Sequence, residues 1–354
     1  MTAAFLSRAE LSAMVEALLA SGAQVLAPAV SADHPGATDY RRVSSLSEAS
    51  LDGPLPRRSL KEFFLPPSEV VLRYRRGKEG VALEEVGTLL PRRVILGARP
   101  CDAAGVLTLD AVMAWGHKDE PWFARREATT IVSLACPGAD EACFCSALGL
   151  GPDAARGSDL LLVPVAGGYL AEASTAKGEA LLGNAPREVT ARTGEEALAF
   201  RRAARERVAK NLPAVPKGLA SWLEAHFDDP LWKTLALGCH GCGACASVCP
   251  TCHCFDLVDE HDRLEEGARR RNWDTCQSAK FTLHASGHNP RPTQVERYRQ
   301  RILHKFAVYP KRFGETLCTG CGRCARACAA GVHLPEILGR LSALAGGEPR
   351  EGAR

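Results

Sequence analysis

Eight cysteines of this chain use one spacing twice: Cys239-x2-Cys242-x2-Cys245-x3-Cys249, followed by Pro250, and Cys318-x2-Cys321-x2-Cys324-x3-Cys328. Thiolates are soft, strong ligands for iron, and four of them complete the coordination of a [4Fe–4S] cube. A C-x2-C-x2-C loop wraps three corners of one cube. The fourth cysteine, on a helical turn three residues on, points away and in two-cluster ferredoxins binds the other cube. The expected ligand sets are therefore crossed. Cys239, Cys242, Cys245 and Cys328 would hold cluster 1, and Cys318, Cys321, Cys324 and Cys249 would hold cluster 2. Structural zinc uses paired C-x2-C arms and has no use for a third cysteine at the next step, twice over.

Disulfides require an oxidising compartment, and the N-terminus does not read as a signal peptide. Its first apolar stretch, Leu11 to Ala20, is interrupted by Glu16 and has no basic region before it. Fifteen cysteines without an export signal point to metal work in a reducing cytoplasm. No apolar run approaches the roughly 18–20 residues of a membrane span. A length of 354 residues suggests two or three domains, and 46% hydrophobic content is enough to bury a core. The net charge of +3 selects no class of partner.

Before the first cysteine run the chain reads as α/β. Leu11, Met14, Val15, Leu18 and Leu19 recur at helical spacing behind a Ser7/Glu10 capping box. Residues 50–68 are proline-rich loop, and Val70 to Tyr74 reads as a strand. Two buried strands, from Arg93 and from Thr129, flank an apolar crossover helix over Ala103 to Met113, so they should be parallel. They deliver Cys101 and Cys136 to strand carboxyl ends, the edge where open α/β sheets bind ligands. Leu160–Val165 and Tyr169–Glu172, joined through Gly167-Gly168, read as a hairpin, and 194–210 as a basic helix.

These signals divide the chain into an α/β domain with a parallel-sheet core (1–212), a linker (213–224), a ferredoxin-type dicluster domain (225–345) and a tail (346–354). Sixty-eight residues separate Cys249 from Cys318, far more than a compact β-rich ferredoxin uses. The flanks, Thr293–Phe306 and Leu334–Leu344, have helical character. A mainly α-helical dicluster domain is therefore expected.

Seven cysteines remain. Cys101, Cys136, Cys143 and Cys145 could together hold a third [4Fe–4S] cluster. The alternatives are a zinc site or plain burial, since free cysteine packs as a small hydrophobe. Cys252, Cys254 and Cys276 follow directly on a cluster ligand. They are candidates for an extra site with His253, for sulfur hydrogen bonds to a cluster, or for packing. The basic stretch containing His284, His288, Arg291, Arg297, Arg299, Arg301, His304 and Lys305 reads as charge offsetting anionic clusters. Aromatics do not interleave it as a nucleic-acid face would require. No Walker sequence, dinucleotide fingerprint or Ser-His-Asp set stands out, so no catalytic residue is assigned.

The motifs Arg99-Pro-Cys-Asp102, Cys143-Phe-Cys145, Cys249-Pro-Thr-Cys-His-Cys-Phe255, Arg271-Asn-Trp-Asp-Thr-Cys276, Gly287-His-Asn-Pro-Arg291 and Arg301-Ile-Leu-His-Lys-Phe306 accompany both cluster runs. With them, from about Leu60 to Leu338, the chain resembles the iron–sulfur beta subunits of cytoplasmic sulfhydrogenases, which are NiFe hydrogenases with sulfur-reductase activity. It is also similar to the A subunit of anaerobic sulfite reductase. Ala329-Ala330 after Cys328 departs from the family's usual proline, a position that binds no iron. The resemblance implies an electron-transfer subunit set between a flavin-containing, NAD(P)H-reactive subunit and a terminal catalytic subunit. That terminal subunit would be a NiFe hydrogenase pair or a sulfite reductase. A rival expectation is a reductase with its own site at Cys252, Cys254 and Cys276.

Overall fold

Eleven strands make two sheets in the computed structural model, which describes residues 2–87, 90–183 and 189–347. In chain order the strands are β1 (Ala3–Ser7), β2 (Gln24–Val30), β3 (Thr38–Arg42), β4 (Ser68–Gly77), β5 (Gly80–Glu85), β6 (Arg93–Ala98), β7 (Thr129–Leu134), β8 (Leu160–Val165), β9 (Gly168–Ala173), β10 (Phe255–Arg263) and β11 (Glu266–Trp273). Beyond Gly347 the expected tail lies outside the described residues.

β6, the helix Pro100–Met113 and β7 form the expected parallel crossover. Both strands are buried on both faces, as apolar runs without alternation require. Val94, Leu96, Val132 and Leu162 pack on one side of the sheet with Leu11 and Val15 of the Ser7-capped first helix. Ile95 and Ile131 pack on the other side with Leu109, Trp122 and Phe64, joined there by Tyr309 and Leu317. The strand order is β1-β9-β8-β7-β6-β2-β3. β2, β6, β7 and β8 run parallel, but β1, β3 and β9 are added antiparallel. The sheet is thus mixed, and the parallel expectation holds for its centre alone.

The region around the cysteine runs is helical at its flanks. Helices Leu219–Ala225, Leu231–Ala236, Gln294–Leu303 and Leu334–Ala345 enclose Trp232, Ile302, Phe306 and Leu338. The helix Gln294–Leu303 starts on a Thr293/Glu296 capping box and passes into a π-helical turn, His304–Val308.

The 68-residue spacer, however, is helical only in its second half. It carries the hairpin β10–β11, and β11 pairs antiparallel with β4 to give the sheet β10-β11-β4-β5. Arg271 on β11 meets Glu69 on β4, which also takes Arg125 at 2.5 Å. The sequence carries no mark of the hairpin, because β10 is solvent-exposed and mostly charged, with no apolar face to show period two.

Candidate metal centres

Each cysteine run forms an irregular loop ending in one short helical turn, Ala244–Ser247 in the first and Arg323–Arg326 in the second. The turn is entered through a left-handed glycine, Gly243 (φ 78°) or Gly322 (φ 70°). Gly320 (φ 64°) serves a second purpose. A Cβ there would lie 2.5 Å from the Cα and the backbone nitrogen of Cys145, so only glycine lets the second loop lie against residues 144–145.

A cavity of about 140 Å³ is lined by Cys239, Cys242, Cys245 and Cys328, with Tyr298, Arg301 and Gln277 on its wall. A tighter cavity of about 10 Å³ is lined by Cys249, Cys318, Cys321 and Cys324, with Phe144, Arg301 and Lys305. Cys324 also reaches the first cavity. Each space therefore gathers three cysteines of one run and the last cysteine of the other. Cys242 is exposed at the mouth of the first cavity, whereas Cys249 and Cys321 are buried. Among the described residues no three His, Cys, Asp or Glu side chains lie close enough to hold a single metal ion.

Cationic groups surround these thiols. Lys305 is buried, and its Nζ donates to Cys249 Sγ (3.5 Å), Thr251 Oγ1 (3.1 Å) and Leu317 O (2.9 Å). Burial alone would lower its pKa, but the thiolates of Cys249, Cys252 and Cys318 raise it above the ordinary lysine value. Arg301 is buried too, and its Nη1 has no hydrogen-bond partner. An unpartnered buried guanidinium is costly unless an anion lies beside it. Four thiolates on a [4Fe–4S] cube supply one, so donor set and charge both fit an iron–sulfur cluster. Burial pushes the Cys318 thiol up to about 12. Loading it with metal must therefore displace its proton.

The leftover N-terminal cysteines lie in one region beside the second cysteine loop. Cys143 and Cys145 are buried with Ala104, Leu150 and Val208, and Cys101 packs against them. Cys136 lies in the field of Cys101, Cys143 and Cys145. Burial raises Cys143 to about 11 and Cys145 to about 12. This group abuts the second cavity. Cys143 Sγ lies 3.9 Å from the Cys321 carbonyl oxygen, and the Phe144 N–H donates to Gly320 O at 2.7 Å. Arg326 Nη2 donates to Cys143 Sγ at 3.0 Å.

The second leftover group divides. Cys252 hydrogen-bonds Cys249, which holds Cys249 well below the usual thiol range, with Lys305 and Arg301 assisting. Cys254 hydrogen-bonds Cys276, and that bond, with another from Gln277, brings Cys276 down to about 6. Gln277 Nε2 donates to Cys276 Sγ (3.5 Å), and its Oε1 lies 3.8 Å from Cys239 Sγ. His253 sits apart from the thiols' mutual contacts, with Nδ1 3.0 Å from Thr251 O.

Three residues at the site gave no signal in the sequence of the part they play. Asp102 is fully buried and takes Arg323 through two 2.7 Å bonds, with Tyr40 Oη at 2.8 Å. The pair bolts the second loop, next to Cys324, to the helix Pro100–Met113. Lys61, in a helical turn within the expected loop, donates to Ala246 O at 3.2 Å and lies 3.7 Å over the Trp273 ring. It clamps the first loop in the same way.

Residues 238–332 match the family of the 4Fe-4S dicluster domain. The chain is 31% identical over 306 residues to sulfhydrogenase 2 subunit beta of Pyrococcus furiosus, covering 86% of this chain and 89% of that protein. No helix among the described residues is long and apolar enough to cross a membrane.

Proposed function

The chain belongs to the family of sulfhydrogenase beta subunits, and we propose that it relays electrons between a flavin-containing, NAD(P)H-reactive subunit and a terminal catalytic subunit, most simply a NiFe hydrogenase with sulfur-reductase activity, in a reducing cytoplasm. It is an iron–sulfur electron-transfer subunit. The observation that carries the reading is the crossed pattern of the two cavities, in which the last cysteine of each run serves the cavity of the other. Cys239, Cys242, Cys245 and Cys328 would hold one [4Fe–4S] cluster, and Cys318, Cys321, Cys324 and Cys249 the second. When bound, such clusters supply one-electron redox chemistry at potentials tuned by charge, burial and hydrogen bonds to sulfur.

The chain's own residues do the rest. Tyr298, Phe144 and Leu334 line the cavities with apolar surface that keeps water out. Lys61 ties the first loop to the helical turn Lys61–Phe64, and Arg323 ties the second to the helix Pro100–Met113. Gln294 Nε2 donates to Cys239 Sγ at 3.2 Å, and the Val332 N–H donates to Cys328 Sγ at 3.3 Å; hydrogen bonds of this kind to ligand sulfur tune the potential of a bound cluster.

A third cluster, if Cys101, Cys136, Cys143 and Cys145 take one up, would adjoin the second cavity, where Cys143 Sγ lies 3.9 Å from Cys321 O. Cys252 is better accounted for as a neighbour of the ligand thiol Cys249 than as part of an independent reductase site, and Cys254 and Cys276 pair with each other. Iron and acid-labile sulfide on anaerobically purified protein test the whole reading. About eight of each per chain is expected from the two clusters, and about twelve would place a third at the N-terminal group. Cys242→Ala should lose about four iron atoms and most electron throughput. Full iron content and full activity of the complex in that variant would sink the relay. Co-purification with sulfite reductase subunits instead of a hydrogenase would move the chain to the related complex.

A further inference from the structure

Arg301 stands where the two cavities meet. It lies on the helix Gln294–Leu303, is 3% exposed, and lines both cavities. One turn before it, Tyr298 lines the first cavity only; one turn after it, Lys305 lines the second only. A single helix face thus runs from one cavity to the other, with the guanidinium at the crossing point.

Among the described residues no acidic side chain neutralises that charge. No carboxylate pairs with Arg301 among the described residues, and its Nη1 is buried without a hydrogen-bond partner. The sulfurs it faces belong to both sets: Cys245 of the first, Cys324 and Cys249 of the second, with Cys252 beside them. Other cations here are already committed. Arg323 is held bidentately by Asp102, and Arg326 by Asp140. Lys305 reaches only Cys249 among the thiols it hydrogen-bonds.

Resting on the two-cluster reading above, we propose that Arg301 is the shared counter-charge of both clusters and sets their reduction potentials jointly, while Lys305 adjusts the second cluster alone. A fixed positive charge stabilises the more negative, reduced state of a cluster. A charge shared by two centres shifts both in the same direction, and one seated against a single ligand shifts one. Burial strengthens the effect, because water is not there to screen it. Arg301 is a positioning residue for charge and carries no electron itself.

The test is EPR-monitored redox titration of the intact protein, with the signals assigned through Cys242→Ser and Cys321→Ser. In R301Q both midpoint potentials should move to more negative values, each by about tenfold in the reduction equilibrium, about 59 mV per electron. R301K should restore much of that shift. In K305Q only the signal lost in Cys321→Ser should move. If R301Q keeps its iron and either potential stays where it was, the proposal is wrong. If R301Q fails to load, the same reading is taken on R301K, whose displaced charge must still move both potentials together; movement of one alone overturns the proposal. Wild-type protein with fewer than about eight iron and two reduced-state signals would instead refute the two-cluster reading beneath it.

Discussion

His253 and His304 meet edge to face, with ring centroids 5.5 Å apart, one following the first cysteine run and the other opening the π-helical turn. Burial lowers His253 from 6.5 to about 4 and His304 to about 3. The unfolded chain takes up these protons near pH 6.5, but the folded chain does not until well below it. The stability they contribute is therefore complete above about 6.5 and is lost progressively as pH falls from there, down to about 4 for His253 and about 3 for His304. Every tenfold weakening of proton binding on folding is worth about 1.4 kcal/mol, so the pair makes a loss on the order of a few kcal/mol. The urea midpoint of wild type should fall between pH 7 and pH 4. In the His253→Gln, His304→Gln double variant the same curve should be markedly flatter, and an equally steep one would show that these imidazoles are not the cause. The eight motif cysteines were legible at this scale because iron chemistry dictates their spacing. The pairing of Asp102 with Arg323 was not, because two residues 221 positions apart leave no local pattern.

Elements were readable where the backbone itself demanded a residue type. Ser7 and Glu10 announced their helix, and Gly167 with φ 75° announced the β8–β9 turn. The loops of the cysteine runs obey the same logic, and Gly320 offers a test. Its left-handed backbone and the 2.5 Å approach to Cys145 leave no room for a methyl group. Gly320→Ala should lose about four iron atoms from the second cavity. Gly287→Ala, with φ 82° but nothing within 4 Å, should keep full iron and cost only about 1–2 kcal/mol. Equal iron in the two variants would contradict the packing argument. The β10–β11 hairpin shows where element reading stops. Asp256, Asp259, Glu260 and Asp262 make β10 look like a solvated linker, and only its partners make it a strand.

At the scale of the whole molecule, the 213–224 linker does not separate independent halves. β11 borrows β4 from the N-terminal side, Arg323 reaches Asp102, and Tyr309 Oη donates to Thr108 O at 2.7 Å. A fragment beginning at 213 would keep all eight motif cysteines. It would also leave β11 with an open edge, and Arg323 and Arg271 without their carboxylates. Such a fragment should be aggregation-prone and load little iron, whereas co-expression with residues 1–212 should rescue it. A soluble fragment carrying two clusters would show that the shared sheet is dispensable.

The shared sheet also imposes a schedule on synthesis. β5 ends at Glu85 and β11 begins only at Glu266. At about 5–20 residues per second, the ribosome leaves the β4–β5 ribbon waiting on the order of 10–40 s for its partner. Throughout that interval one edge of β4 offers unpaired amides to any neighbouring nascent chain. The charged strands, with Arg73, Arg75 and Arg76 on β4 and Glu84 and Glu85 on β5, are what a ribbon needs to stay single while it waits.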